Sequence, residues 1–242
     1  MLELQNICWT TPDGKAVLNN INLTIDDRKL IAITGPNGGG KTTLAKIMMG
    51  IENPTSGRIL LDGEDITGLD VTERAKKGIS FAFQQPVRFK GITVRQLLET
   101  AAHEQLHKES LCAMLQKVGL CANSYLNRDI EATLSGGEIK RIEIASVLAR
   151  HTQLSIFDEP EAGIDLWSFQ NLIQVFEQMH ESLQGTLIII SHQERILNIA
   201  DEIIMIGEGT VMDRGPGPEM LNKMLEHESA HQTCCSRKEF FQ

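Results

Sequence analysis

The sequence predicts an α/β fold with a largely parallel β-sheet and an inserted helical subdomain. Two observations support this fold class. Short apolar, strand-like segments alternate with helical stretches, which is the pattern of strands joined by crossover helices. Between residues 86 and 133 the strand-like segments disappear and only helical patterns remain. The length of 242 residues suits one large domain of this kind, or two small ones.

The predicted strands are runs rich in aliphatic residues. They read LELQNIC, INLTI, LIAIT, RILLD, ISFAFQ, LSIFD, TLIIIS and EIIMI, and begin at residues 2, 21, 30, 58, 79, 154, 186 and 202. Helices are predicted directly after Gly40 and over residues 94–107, 110–118, 138–150, 168–183 and 194–199. The expected core therefore comprises residues 1–85 and 134–226, with a helical subdomain at 86–133 and a polar, loosely held tail at 227–242.

Composition and charge argue against several classes of function. A net charge of −9 disfavours broad binding to nucleic acid or anionic membranes, although it does not exclude a protein partner. No apolar run approaches the length of a membrane span, and no secretory signal pattern opens the sequence. The 5 cysteines are irregularly spaced, which suits a reducing compartment better than a disulfide framework. We therefore expect a cytoplasmic protein.

The most informative motif joins the predicted strand LIAIT to the helix that follows it. It reads Gly-x-x-x-x-Gly-Lys-Thr, which is a phosphate-binding loop. Glycines allow consecutive backbone N–H groups to surround an anion, and the positive N-terminus of the next helix is directed at the same place. The lysine can reach the β- and γ-phosphates, and the threonine hydroxyl can bind Mg²⁺. The predicted nucleotide-binding residues here are Gly35, Pro36, Asn37, Gly38, Gly39, Gly40, Lys41, Thr42 and Thr43.

A pair of carboxylates, Asp158 and Glu159, ends the predicted strand LSIFD. A carboxylate beside a phosphate loop can bind Mg²⁺, directly or through water. Hydrolysis of a phosphoanhydride also needs a group that orients or deprotonates the attacking water, and Glu159 suits that role. By itself an apolar run followed by Asp-Glu is a weak signal, but its position downstream of the phosphate loop strengthens it.

A third motif, Leu134-Ser135-Gly136-Gly137-Glu138, opens a predicted amphipathic helix. Its free N–H groups suit an anion, although a serine followed by glycines is also an ordinary helix cap. Together the three motifs resemble those of the ATP-binding cassette (ABC) ATPases. The resemblance extends to about residue 226 and includes Gln84 after a strand, the segment Ala162-Gly163-Ile164-Asp165, and His192.

The resemblance implies an ABC-type fold with an N-terminal antiparallel β portion, and an ATPase that uses ATP and Mg²⁺. It also implies a head-to-tail dimer in which each ATP lies between one phosphate loop and Ser135, Gly136 and Gly137 of the other protomer. In that arrangement the catalytic residues are Glu159, His192 and Gln84. Glu159 acts on the attacking water, Gln84 senses the metal and the water, and His192 contacts the γ-phosphate. Asp165 links the two sites. The implied metal-binding residues are Thr42, Gln84 and Asp158.

Within the ABC ATPases, four segments resemble SufC, the soluble ATPase of iron–sulfur cluster assembly. They read ERAKKGISFAFQQPV, SGGEIKR, DEPEAGIDL and SHQERIL. Ile139 and Pro160 depart from the SufC pattern, and Asp-Glu-Pro is typical of transporters. The resemblance implies that ATP hydrolysis drives a conformational change in a scaffold similar to SufB or SufD. The alternative is the ATPase subunit of an ABC transporter, bound to a membrane permease.

A partner surface is predicted at residues 86–95, with Phe89 as its anchor between Arg88 and Lys90. The alternative interpretation is that Phe89 packs in the core of the helical subdomain. Trp9 could stack on adenine, but packing in the core is favoured over that role.

Two patterns are similar to metal sites. His103-Glu104-Gln105-Leu106-His107 matches the motif of zinc proteases, although a solvated helix face is expected instead. In the tail, His227, His231, Cys234 and Cys235 have ligand-like spacing, which leaves metal or cluster binding open.

Overall fold

The computed structural model describes residues 1–85, 87–130, 134–182 and 185–236. Its strands are β1 (Leu2–Thr10), β2 (Ala16–Ile25), β3 (Leu30–Thr34), β4 (Ser56–Leu61), β5 (Glu64–Asp65), β6 (Ile79–Ala82), β7 (Leu154–Asp158), β8 (Thr186–Ile190), β9 (Glu202–Gly207) and β10 (Thr210–Pro216). Its helices are α1 (Lys41–Met49), α2 (Val71–Lys76), α3 (Val94–Ala102), α4 (Lys108–Lys117), α5 (Ala122–Tyr125), α6 (Gly136–Ala149), α7 (Leu166–Ser182), α8 (Glu194–Asn198) and α9 (Gly217–Ser236). The predicted α/β class is confirmed, as are the eight predicted strands.

The strands form two sheets. An antiparallel sheet has the order β2-β1-β4-β5, and it supplies the N-terminal antiparallel portion that the resemblance implied. The larger sheet has the order β10-β9-β3-β8-β7-β6. In it β10 runs antiparallel to β9, and the other neighbours are parallel. Parallel strands cannot be joined by a tight hairpin, so the chain passes through helices between one parallel strand and the next.

The parallel strands of the large sheet are buried on both faces, and alternate residues of these strands enter two different hydrophobic clusters. Ile31 and Ile33 of β3 pack with α1 and the antiparallel sheet. Leu30 and Ala32 pack on the opposite face, with α6, α7 and the helices of the predicted subdomain. Side chains alternate between the two faces of a strand, so an aliphatic run such as LIAIT is suited to burial between two layers.

Helices α3, α4 and α5 lie within the predicted helical subdomain, whose boundary residues 86 and 131–133 are outside the described residues. Instead of one helix over 94–107, α3 ends at Ala102 because His103 adopts the left-handed conformation, with φ 58°. Leu98, Leu111 and Leu115 pack against α6 and fuse this block to the core of the sheet.

The boundary predicted at residue 226 falls inside α9, which continues to Ser236. Residues 227–236 of the predicted tail are therefore helical in their backbone. Among the helices of the described chain, none has the length and apolar character needed to cross a bilayer.

Candidate functional site

The sheet order brings four separate sequence segments to one edge. Strands β3, β8, β7 and β6 are consecutive and parallel, so their carboxyl ends lie side by side. The residues that follow them include, in that order, the phosphate loop, His192, Glu159 and Gln84. Ligands of open parallel sheets bind at this edge. The residues singled out in the sequence after these four strands are thus assembled at one place.

The phosphate loop between β3 and α1 adopts a conformation that depends on glycine. Gly35, Gly38 and Gly40 have φ values of 129°, 77° and 103°, which other residues rarely adopt. A Cβ atom on Gly35 would lie 2.0 Å from the carbonyl oxygen of Ile206, so the loop and β9 could not approach each other as they do. Pro36 and Asn37 are exposed at the tip of the loop, where an anion can enter.

Lys41 is the first residue of α1, and its side chain folds back over the loop. Its Nζ donates hydrogen bonds to the carbonyl oxygens of Gly35 at 2.8 Å and Pro36 at 3.0 Å. Burial lowers the pKa of Lys41, and the nearby Glu159 and Asp158 carboxylates oppose that shift. A buried cation enclosed by loop carbonyls is poised to exchange these partners for phosphate oxygens, with which it forms stronger, charge-assisted hydrogen bonds.

Thr42 and Asp158 form an oxygen-rich pair that fits a magnesium ion. The Thr42 hydroxyl donates to Asp158 Oδ1 at 3.3 Å, and Asp158 is buried at the end of β7. Burial raises the pKa of Asp158, partly offset by this hydrogen bond. A nearby divalent cation would restore the preference of the carboxyl group for its charged form. Hydroxyl and carboxylate oxygens are ligands that Mg²⁺ prefers.

Glu159 and Gln84 meet directly across the ends of β7 and β6. Gln84 Nε2 donates to Glu159 Oε2 at 2.6 Å. The backbone of Glu159 has φ 45°, a left-handed conformation unusual for glutamate, and its N–H donates to the Ile190 carbonyl oxygen at 2.9 Å. Strained backbone of this kind is concentrated at functional sites. The two residues predicted to sense and activate water are therefore in contact.

His192 follows β8 and is exposed at the same edge of the sheet. Desolvation lowers its pKa, Lys41 lowers it further, and Glu159 acts in the opposite direction. The imidazole is consequently neutral near pH 7, with one ring nitrogen that donates and one that accepts.

Sequence reasoning missed a link between the segments that carry His192 and Glu159. Ser191 is fully buried, donates from its Oγ to Glu161 Oε1, and accepts the Gln193 N–H at 3.0 Å. Burial raises the pKa of Glu161. A carboxylate two residues after Glu159 and a serine before His192 were visible in the sequence, but nothing in it indicated that they meet.

The signature segment begins α6. Ser135 caps the helix, its Oγ accepting the Glu138 N–H at 3.3 Å while Glu138 accepts the Ser135 N–H at 2.7 Å. Ser135 and Gly136 are exposed, and a Cβ on Gly137 would lie 3.4 Å from the Gly163 carbonyl oxygen. Among the described residues, no hydrogen bond joins Ser135, Gly136 or Gly137 to the phosphate loop. Asp165, on the adjacent segment, accepts the Ser168 N–H at the start of α7.

An apolar groove of about 140 Å³ lies between the end of β6, α3 and α6. Phe83, Val87 and Phe89 line it and are 37%, 41% and 38% exposed. Phe83 packs edge-on against Phe81, with ring centroids 4.7 Å apart. The structure thus places Phe89 at the surface, in the groove, and not in the core of the helical subdomain. The groove lies directly beside Gln84.

The other candidate residues have different roles. Trp9 is partly buried and packs against the cluster beneath the antiparallel sheet. His103 and His107 do not share a helix, since His103 ends α3 and His107 precedes α4. Across the described residues no group of three or more His, Cys, Asp or Glu side chains could hold a metal ion. The side chains of His227, His231, Cys234 and Cys235 lie outside the described part.

A phosphate loop, a carboxylate pair and a glutamine on neighbouring parallel strands define a nucleotide-hydrolysing P-loop protein. Residues 18–162, more than half of the chain, match the family model described as ABC transporter. The chain belongs to this family and is an ABC ATPase, as the sequence predicted.

Individual relatives carry transporter names. An uncharacterized ABC transporter ATP-binding protein of Methanocaldococcus jannaschii is 39% identical over 215 residues, which cover 86% of each chain. The sulfate/thiosulfate import ATP-binding protein CysA of Synechocystis is 32% identical over 84% of this chain, which spans 57% of that relative's length. A bacterial ABC transporter cassette solved as a dimer is 25% identical, with a TM-score of 0.80 over 89% of this chain and 98% of the other. None of these names refers to iron–sulfur assembly.

Proposed function

We propose that the chain binds ATP with Mg²⁺ at the phosphate loop and hydrolyses it with Glu159 as the general base. The contact between Gln84 and Glu159, next to Lys41 and Thr42, carries this proposal. Lys41 and the N–H groups of residues 37–43 hold the phosphates. Thr42 and Asp158, with the Gln84 side-chain oxygen, would hold Mg²⁺, which neutralises phosphate charge when it is bound.

In the proposed reaction, Glu159 takes a proton from a water molecule held by Gln84. The water oxygen forms a bond to the γ-phosphorus, and the bond from that phosphorus to the β–γ bridging oxygen breaks, which releases ADP. The neutral His192 imidazole donates a hydrogen bond to the γ-phosphate. Most of the rate enhancement in phosphoryl transfer comes from such positioning and charge stabilisation.

We further propose a head-to-tail dimer as the hydrolysing unit. Ser135 and Gly136 are exposed and make no hydrogen bond to the phosphate loop of their own chain among the described residues, so a second protomer is needed to bring them to the nucleotide. The exposed N–H groups at the start of α6 suit a phosphate anion. The similar cassette solved as a dimer supports this arrangement.

Mixing two inactive variants tests the dimer. Lys41→Ala removes the cation of one half-site, and Ser135→Arg obstructs the signature of the other. A mixed dimer contains at most one intact composite site, so we expect the mixture to regain part of the wild-type ATPase rate, whereas each variant alone stays inactive. Sedimentation of Glu159→Gln with ATP should show a dimer. Full activity in a strictly monomeric preparation would contradict the proposal.

For the partner, we propose that the chain is the cytoplasmic ATPase subunit of a membrane transporter, since its relatives are named as transporter ATP-binding proteins. The groove lined by Phe83, Val87 and Phe89 would receive the permease, because it adjoins Gln84 and can transmit movement to the site. A soluble iron–sulfur scaffold similar to SufB or SufD is the second candidate. The segments SGGEIKR and SHQERIL favour it, although no relative's name supports it.

Phe89→Ala should weaken binding of the partner. An aromatic side chain in an apolar groove is a typical binding hot spot, so the expected cost is about 1–3 kcal/mol of binding free energy, with ATP affinity unchanged. Ile51→Ala is a matched control, because Ile51 is also 38% exposed but lies outside the groove. Equal partner affinity in the two variants would show that the groove is not the binding site of the partner.

Affinity capture with wild-type protein as bait distinguishes the two partners. Co-purification of an integral membrane protein from detergent-solubilised membranes, lost on Phe89→Ala, supports the transporter. Capture of a soluble scaffold from cytosol, with no permease, supports the second candidate. Neither result bears on the proposal that the chain hydrolyses ATP.

A further inference from the structure

A buried ion pair in α6 contacts the backbone that carries Gln84. Lys140 has 0% of its surface exposed, although lysine is rarely buried completely. Glu143 lies three residues later on the same helix face, with Lys140 Nζ 3.7 Å from its Oε2. The side chain of Glu143 is 13% exposed. Both charged groups point away from bulk water, toward the end of β6.

These two side chains hold three backbone groups of Phe83 and Gln84. Lys140 Nζ donates to the carbonyl oxygen of Phe83 and, at 3.3 Å, to that of Gln84. Glu143 Oε1 accepts the N–H of Phe83 at 3.0 Å. Both backbone polar groups of Phe83 are therefore bound by one ion pair. The next side chain along the backbone, Gln84, contacts Glu159.

The arrangement is costly if its purpose is stability alone. Burial lowers the pKa of Lys140 and raises that of Glu143, so each charged form is destabilised by its surroundings. Glu143 Oε2 is buried and accepts no hydrogen bond from any of the described residues. Apolar residues of similar volume often stabilise a protein as well as a buried ion pair does. A positioning role accounts for this pair, because fixed hydrogen bonds hold a backbone segment in one place.

We propose that Lys140 and Glu143 are positioning residues that fix the Phe83–Gln84 backbone and so keep the Gln84 side chain on Glu159. The proposal rests on the catalytic roles given above to Gln84 and Glu159. The ion pair also connects the groove to the nucleotide site, since Phe83 and Glu143 both line the groove. A partner that displaces Phe83 would pull on the same three hydrogen bonds.

The test is a double-mutant cycle on kcat. Lys140→Met keeps the length of the side chain and removes the charge. We expect it to lower kcat by about 10- to 100-fold, as misplacement of a catalytic group does, with the Kd for ATP changed by less than about threefold. In a Gln84→Ala background the same substitution should lower kcat no further, because residues that act as a unit are not additive. Multiplicative effects, or equal losses in kcat and ATP affinity, would overturn the proposal.

Hydrogen exchange supplies a readout independent of activity. The Phe83 amide should exchange faster in Lys140→Met and in Glu143→Gln, whereas amides of β3 and β8 keep their protection. Arg74→Met is the matched control, because Arg74 is equally buried and donates to the carbonyl oxygens of Ile47 at 2.6 Å and Met48 at 3.0 Å. It should lower the melting temperature without exposing the Phe83 amide.

The two proposals can fail separately. If Lys140→Met does not fold, Glu143→Gln is measured in the same cycle, since it retains side-chain volume. Unchanged Phe83 exchange in a folded variant would overturn the positioning role. A wild-type rate in Glu159→Gln would instead remove the proposed base, and the exchange measurement would still report on the ion pair.

Discussion

Glu159→Gln is expected to lower kcat for ATP hydrolysis by about 10²–10⁴-fold, the usual contribution of a general base. Glutamine has the same shape but cannot take a proton from water. ATP binding should persist, because the groups that hold the phosphates are Lys41 and the loop amides. Single-turnover kinetics and equilibrium ATP binding measure the two effects separately.

The control for this substitution is Glu177→Gln, which makes the same chemical change on an exposed face of α7. It should leave kcat within about twofold of wild type, as surface changes away from a site usually do little. A near-normal rate in Glu159→Gln would remove Glu159 from the role of base.

Lys41→Ala is expected to abolish tight ATP binding. The ammonium group is the buried cation closest to the loop carbonyls, and a hydrogen bond to a charged group contributes about 1.5–3 kcal/mol. At 1.4 kcal/mol per tenfold, the Kd for ATP should rise by about 10- to 150-fold. Fluorescence of a bound nucleotide analogue, displaced by ATP, measures this change.

Lys76→Ala is the matched control for Lys41→Ala, since Lys76 is an exposed lysine on α2. Its removal should not alter nucleotide affinity. If Lys41→Ala bound ATP as tightly as wild type and retained its melting temperature, the phosphate loop would not be the nucleotide site.

Some elements missed in the sequence had recognisable signals. Helix α2 begins with a capping box, in which Asp70 accepts the Glu73 N–H at 2.8 Å, and Asp-x-x-Glu is visible in the sequence. Strand β10 ends in Gly-Pro at the edge of the sheet, where proline is tolerated but weakens a prediction. The break between α3 and α4 depends on the left-handed backbone of His103, which local propensity does not favour.

The sequence by itself determined the chemistry of the nucleotide loop, because contiguous residues 35–43 form it and glycine supplies its positive φ angles. It also placed Glu159, Gln84 and His192 after strands. Tertiary structure alone decided which of these residues touch, since the order β3-β8-β7-β6 is set by packing between segments distant in sequence, such as Leu30 beside Leu187 and Ala82 beside Phe157. The contacts of Lys140 were also decided by the tertiary structure. Its amine donates to the carbonyl oxygens of Phe83 and Gln84 because the end of β6 packs against α6.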